Sequence, residues 1–278
     1  MKVKVLILTL GALGLGLVGS LPAAASSHYL TNVKDHNFLK TQRKIVLKKT
    51  HYRPSITLPK GTIVQMDGVT SNHRTTLRVN ALSYHLRKAY VGNSATYTQG
   101  IPLTTTNFKK VSVPQYVRYY TTQTSYPTSS GRWFTGNGEL YQGVKFPEQA
   151  NQLTAKADRV TVTSDGYLEY TPNARVSSSA VNGKPTVSAK ITKVSRPGGS
   201  GKTYLYTKQA VPGAIGNRVS KTGNAQYLTV IKRRYKAYTT VYLTLNKVQT
   251  SRIYVSAGYL VGDHQYFMAT STYSPKAN

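Results

Sequence analysis

The chain of 278 residues has no cysteine. That excludes disulfides within it, thiolate metal sites, the cysteine nucleophile of papain-like and sortase-like wall enzymes, and a lipid-bearing N-terminal cysteine. Carboxylates are nearly as scarce. Asp35, Asp67, Asp158, Asp165, Asp263, Glu139, Glu148 and Glu169 are all there are, against 37 Lys and Arg, a formal charge of +29. Eight acids cannot neutralise such an excess internally. The surplus must face solvent, counter-ions or a polyanion, and it exceeds the net charge of about 2–8 that solubility asks of a small domain. Phe (5) and Trp (1) are rare beside 22 Tyr. Tyrosine suits half-buried strand positions, and its ring and hydroxyl also suit sugar or peptide recognition.

Residues 1–25 have the order of a secretory signal. Lys2 and Lys4 supply the positive start, Val5 to Val18 the apolar run, Pro22 the break, and Ala23-Ala24-Ala25 the small residues before a cleavage site. An apolar core of roughly 14–16 residues is short of the ~20 that span a bilayer. Cleavage is therefore expected after Ala25. It leaves 35 basic against 8 acidic residues, a balance of +27. No further anchor is visible, so the expected location is extracellular and associated with the cell envelope by binding. Scarce disulfides in an exported chain fit a Gram-positive source.

Beyond residue 25 the sequence is rich in Thr, Val, Tyr and Ser, punctuated by Gly and Pro, and helical periodicity is nearly absent. This predicts an all-β fold of small antiparallel barrel-like or sandwich modules. Strands are expected at 43–50, 75–79 and 88–91, and 56–66 reads as a turn around Pro59–Gly61 feeding a second strand, with a tight turn at Asp67-Gly68; residues 82–87 leave a brief helical turn undecided. Further strands are expected at 140–146, 158–163, 166–171, 226–231, 237–245, 252–257 and 266–270. Ser164-Asp165-Gly166 signals a hairpin. The polar stretch 121–132 reads as a linker between a first module (26–120) and a second β region (133–278), itself open to division at a loop, 195–202. Strand pieces at 75–79 and 239–243, each followed at equal spacing by Tyr-Val (Tyr90-Val91, Tyr254-Val255), hint at a duplication.

Motifs of chemistry are thin. Ser195 to Thr203 ends like a phosphate-binding loop, but Arg196 stands where the pattern needs Gly, so the stretch reads as a flexible loop. Lys221-Thr222-Gly223 lacks the companion motifs of penicillin-binding enzymes. The six histidines show no paired ligand spacing. No cofactor, metal or catalytic residue is predicted.

Basic residues interleaved with tyrosines are the better candidates. These are Lys48, Lys49 and Arg53; Arg87 and Lys88 with Tyr90; Arg118 with Tyr119; and Lys232, Arg233, Arg234 and Lys236 with Tyr238. Cations beside aromatic faces suit a ligand carrying phosphate and sugar together.

At Leu58-Pro59-Lys60-Gly61-Thr62-Ile63-Val64, followed by Ala89-Tyr90-Val91, the chain resembles bacterial Src-homology-3-like and surface-layer-associated cell-wall-binding repeats. The resemblance covers about 43–92, with a fainter echo at 205–257. It implies a small β-barrel binding wall polymer. The expectation is a secreted, non-enzymatic surface protein with teichoic acid or peptidoglycan as partner. The alternatives are a wall hydrolase or glycosidase using acids within 139–169, and an adhesin for nucleic acid or host glycans.

Overall fold

A computed structural model describes residues 28–34, 37–48, 55–87, 96–121, 138–145, 155–176, 183–212, 216–243 and 251–273. The expected signal with Ala25, the candidates Lys49, Arg53, Lys88 and Tyr90, the strand expected at 88–91 and nearly all of the expected linker lie outside the described residues, as do the side chains of Lys236 and Tyr238. Among the described residues the protein is all-β and antiparallel, and no helix is long and apolar enough to cross a membrane.

The first region holds β1 (Phe38–Thr41), β2 (Ile45–Leu47), β3 (Ile56–Leu58), β4 (Ile63–Val69), β5 (Arg74–Arg78), β6 (Thr96–Pro102) and β7 (Phe108–Val111). Five of these form a sheet in the order β6-β5-β4-β1-β7, and β2 and β3 form a separate hairpin. The Pro59–Gly61 turn feeds β4 as its residues dictate: Gly61 takes φ +88°, which a Cβ would strain, and the Thr62 amide donates to the Pro59 carbonyl. Asp67-Gly68 is not a turn. It lies inside β4 at a register shift against β5, and the chain reverses at 70–73 instead. Alternation sends Leu39, Leu47, Ile56, Leu58, Val64, Met66, Leu77 and Phe108 into one largely aliphatic core. Each such side chain contributes ~1.5–3 kcal/mol by leaving water. The undecided stretch before residue 88 is helical: a 3-10 turn at Val79–Ala81, then α1 (Tyr84–Arg87).

The second region is a meander of β8 (Glu139–Gln142), β9 (Lys156–Val162), β10 (Tyr167–Arg175), β11 (Val187–Ser195), β12 (Lys202–Thr207), the short β13 (Gly216–Arg218), β14 (Tyr227–Leu243), β15 (Ser251–Val261) and β16 (His264–Tyr273). Pairing of β12 with β14, and of β16 with β8, closes eight of these strands into a barrel. Ser164-Asp165-Gly166 forms the predicted hairpin, with Gly166 at φ +83°. Residues 226–245 depart from expectation: one strand, β14, runs through both pieces with a register shift between Arg233 and Ala237. The stretch 195–202 is a correction too, because it is the β11–β12 hairpin inside the barrel and divides nothing. Of the hinted duplication, 75–78 lies in β5 between β4 and β6, whereas 239–243 is the end of β14 that pairs with β15 beyond its contact with β12; Tyr90-Val91 lies outside the described residues.

Side chains point inward on alternate barrel residues, as on β12, where Thr203, Leu205 and Thr207 are buried and their neighbours half-buried. The interior is filled by Leu140, Val160, Val162, Leu168, Tyr170, Leu205, Ile231, Ala257, Tyr259, Val261, Tyr266 and Met268. A plug from the first region joins them: after a 3-10 turn at Gln115–Val117, α2 (Arg118–Thr121) places Val117, Tyr119 and Tyr120 in the same cluster. The Tyr119 hydroxyl donates to the Gly138 carbonyl at 2.6 Å, and the Tyr259 hydroxyl to the Tyr119 carbonyl at 3.3 Å. Neighbouring β1 residues divide between the cores, Leu39 facing the aliphatic one and Phe38 the barrel. The two regions thus share a core; the expected linker between them lies, but for residue 121, outside the described residues.

Candidate functional site

Among the described residues, Asp67, Asp158, Asp165 and Glu169 are committed to partners within the protein, and Glu139 is buried as well. Asp67 pairs with Arg78 at 3.0 Å, and Asp158 accepts from the Tyr170 hydroxyl and the Asn173 amide. Asp165 accepts from the amide and hydroxyl of Ser83. Glu169 holds Arg87 at 3.1 Å and also accepts from the Tyr84 amide and the Ser188 hydroxyl. Burial pushes the Glu169 carboxyl up against the pull of these partners, and burial lowers the Arg87 guanidinium despite Glu169. The pair is a buried seam between α1 and β10.

Two predicted binding residues are therefore corrected. Arg87 is 1% exposed, its charge spent on Glu169, and it offers nothing to a polymer. Tyr119 is 2% exposed and sits in the barrel core against Tyr120 and Tyr259. Helical spacing decides this: α2 turns Tyr119 inward while its neighbour Arg118 stays half-buried at the surface. Lys48 follows β2 and belongs to the first region.

Arg118 and the Lys232–Arg234 group, far apart in sequence, are brought together. The group lies within β14 rather than between strands, and Lys232 stands directly across from Lys202 on β12. The Arg233 amide donates to the Gly201 carbonyl in the β11–β12 turn. That turn and the plug enclose a cleft of about 490 Å³ lined, among the described residues, by Gln115, Arg118, Val194–Pro197, Gly198, Gly199, Gly201 and Lys202. The turn has internal order: the Ser200 hydroxyl donates to the Pro197 carbonyl at 2.9 Å and accepts from the Lys202 amide at 3.2 Å. Gly199 and Gly201 take φ +70° and +60°, conformations that favour glycine. Arg118 is steadied by its Nε–H donating to the Val113 carbonyl at 3.2 Å. Arg196 has its ionisation lowered, first by burial and then by the positive charge of Arg118 beside it.

Sequence reading overlooked Arg196 and Lys202. Their signal was present, since both flank the glycine-rich turn, but Arg196 appeared there as the residue that spoils a phosphate-loop pattern.

A second cleft, about 460 Å³, opens where the Pro59–Ile63 turn and α1 meet the β9–β10 hairpin. Tyr167 forms one wall, with Lys190 Nζ 4.5 Å from its ring centre and His85 stacked beside it at 6.2 Å. The Lys190 ammonium also donates to the Asp165 carbonyl at 2.7 Å, and the Tyr116 hydroxyl to that of Ser164. The wall is aromatic and its polar groups are largely engaged.

In comparisons with protein-family models, curated proteins and solved structures, the chain has no match.

Proposed function

We propose that this chain is an exported, non-enzymatic surface protein held at the cell envelope by binding an anionic wall polymer such as teichoic acid. One observation carries the reading. The protein has 37 cationic side chains against eight carboxylates, and among the described residues Asp67, Asp158, Asp165 and Glu169 are turned to internal contacts. The positive excess therefore remains outward, where release of counter-ions rewards a polyanion. Convergence of Arg118, Arg196, Lys202 and Lys232 at one end of the barrel supports it further. The residue types at 58–64, resembling wall-binding repeats, point the same way.

Of the acids that a hydrolase reading would use, Asp165 and Glu169 each have both oxygens engaged by protein donors, which favours a binding role. Mature protein is expected to sediment with purified walls, to elute as salt rises, and to bind less after teichoic acid is extracted. Retention indifferent to salt would defeat the electrostatic mechanism. Affinities for teichoic acid, heparin and DNA at one salt concentration separate a wall protein from an adhesin of other polyanions.

A further inference from the structure

We infer that the cleft between the Pro59–Ile63 turn and the β9–β10 hairpin is a site for a sugar ring carried on an anionic chain. Tyr167 and His85 meet the sugar, and Lys40, Lys60, Lys109 and Lys190 meet the chain. This deepens the envelope-binding reading and rests on it for the polymer that supplies the sugar.

Three features carry the inference. The first is ring surface that faces a cavity. Tyr167 forms a wall of the cleft and His85 stands exposed beside it, their rings 19° from parallel with centres 6.2 Å apart. Carbons in face-to-face contact stand about 3.5–4.0 Å apart, so neither ring blankets the other. A flat ring with a polar tip suits a sugar, which presents C–H groups to the ring and hydroxyls to the polar groups around it. The second is room. The cleft of about 460 Å³ falls within the range of about 300–1,000 Å³ of small-molecule sites, and like many of them it opens where two regions meet. Gly166 serves the hairpin and also keeps the floor open: a Cβ there would stand 3.5 Å from the Tyr116 ring and 3.6 Å from the Lys190 ammonium.

The third is a rim of cations. Lys60 and Lys190 line the cleft and are exposed. Lys40 runs beside the wall residue Gly61, 3.7 Å from where a Cβ would stand, and Lys109 lies directly across from Lys40 on β7. Residues so paired share one face of the sheet and like charges there repel, a strain that a bound anion relieves. The Lys190 ammonium is held 4.5 Å from the Tyr167 ring centre by the Asp165 carbonyl, a contact that uses one of its three donors. Asp165 lines the cleft too, but its carboxylate accepts from the Ser83 amide and hydroxyl and is turned to the seam. Lysines attract any polyanion. The rings discriminate, favouring a chain that carries sugar over a bare chain of equal charge.

The test uses the full mature chain at fixed salt with two probes of equal charge: a synthetic glycerol-phosphate oligomer, and the same oligomer bearing N-acetylglucosamine on its glycerols. Titration calorimetry is expected to give about fivefold tighter binding of the sugar-bearing oligomer. Tyr167→Leu should erase that preference and leave affinity for the bare oligomer within twofold, whereas Tyr167→Phe should keep it. Lys60→Gln with Lys190→Gln should weaken both oligomers about fivefold. Lys156→Gln with Lys221→Gln, which removes equal charge from exposed positions elsewhere, should weaken both less than twofold. Thermal melts show that each variant is folded; should Tyr167→Leu melt early, His85→Ala at its exposed position replaces it and should lose at least half of the preference. Equal affinity of the wild type for the two oligomers, a preference that survives loss of the ring, or equal losses from the two double-lysine variants would overturn the site. The sugar-bearing oligomer should also release protein from purified walls at about fivefold lower concentration than the bare one, and equal release would overturn the wall polymer as the source of the sugar. Salt-sensitive wall binding without sugar preference sinks this inference and leaves the envelope reading standing; sugar preference without wall binding does the reverse.

Discussion

The aliphatic core of the first region and the barrel interior lie on opposite faces of β1 and are built from different chemistry. Around Leu39 the neighbours are Leu, Ile, Val and Met with one Phe, and none has a polar atom to satisfy. Around Phe38 they include Tyr119, Tyr120, Tyr170, Tyr259 and Tyr266. A tyrosine ring fills a wide barrel where aliphatic side chains would leave voids, but its buried hydroxyl demands a partner. The plug helps meet that demand, Tyr119 donating to Gly138 and its carbonyl accepting from Tyr259. The open sheet closes its core by its own residues, whereas the barrel is completed by a segment borrowed from the sheet's side.

The seam between them is the place to break this comparison. Arg87→Met leaves Glu169 buried without its counter-charge and is expected to cost ~3–5 kcal/mol in chemical denaturation. Arg87→Met with Glu169→Leu should recover much of that, since the pair's worth lies mainly in neither partner standing alone. Because the regions share the plug, wild type should unfold in one transition, and a separate early transition in Arg87→Met would show the sheet and barrel parting.

Alkaline titration sharpens the comparison next. Burial raises the Tyr119, Tyr120 and Tyr266 phenols well above their ordinary value, and burial with the hydrogen bond to Asp158 takes Tyr170 up to about 12. Unfolded tyrosines ionise near 10. The folded state thus retains protons that the unfolded state loses. The stability so conferred is full below about pH 10 and is lost as pH rises through the folded values. Phenolate absorbance should rise in two stages, the second coinciding with loss of barrel circular dichroism. A single stage near 10 with the fold intact would show that the barrel tyrosines are not buried.

The smallest effect comes from Tyr119→Phe. It removes one hydroxyl and leaves the Gly138 carbonyl without that donor, for an expected loss of ~1–2 kcal/mol by thermal or denaturant melts. A loss near zero would mean that ring volume alone, and not the hydrogen bond, seats the plug.

The strand pattern was legible because its cause is local. Ser164-Asp165-Gly166 is a hairpin from turn chemistry alone, and 56–66 becomes strand, turn and strand because Pro59 and Gly61 allow nothing simpler. Asp67-Gly68 misled because the same two residues serve a bulge as well as a turn, and only β5 alongside decides which. Among the candidate binding residues, Arg118, Lys232 and Arg234 remain at the surface, while Arg87 and Tyr119 are internal. A cation before a tyrosine looks the same on a page whether it meets water or Glu169, which is 82 positions away.

Composition by itself determined that the chain is β-rich, free of disulfides and overwhelmingly basic, since those follow from counts and short-range propensity. Which cations are spent and which stay outward was decided by tertiary structure. Closing eight strands buries the inward face of each, and seating the plug brings Arg118 from one region beside Arg196 and Lys202 of the other. Long-range pairing determines where charge ends up, and no local pattern carries that information.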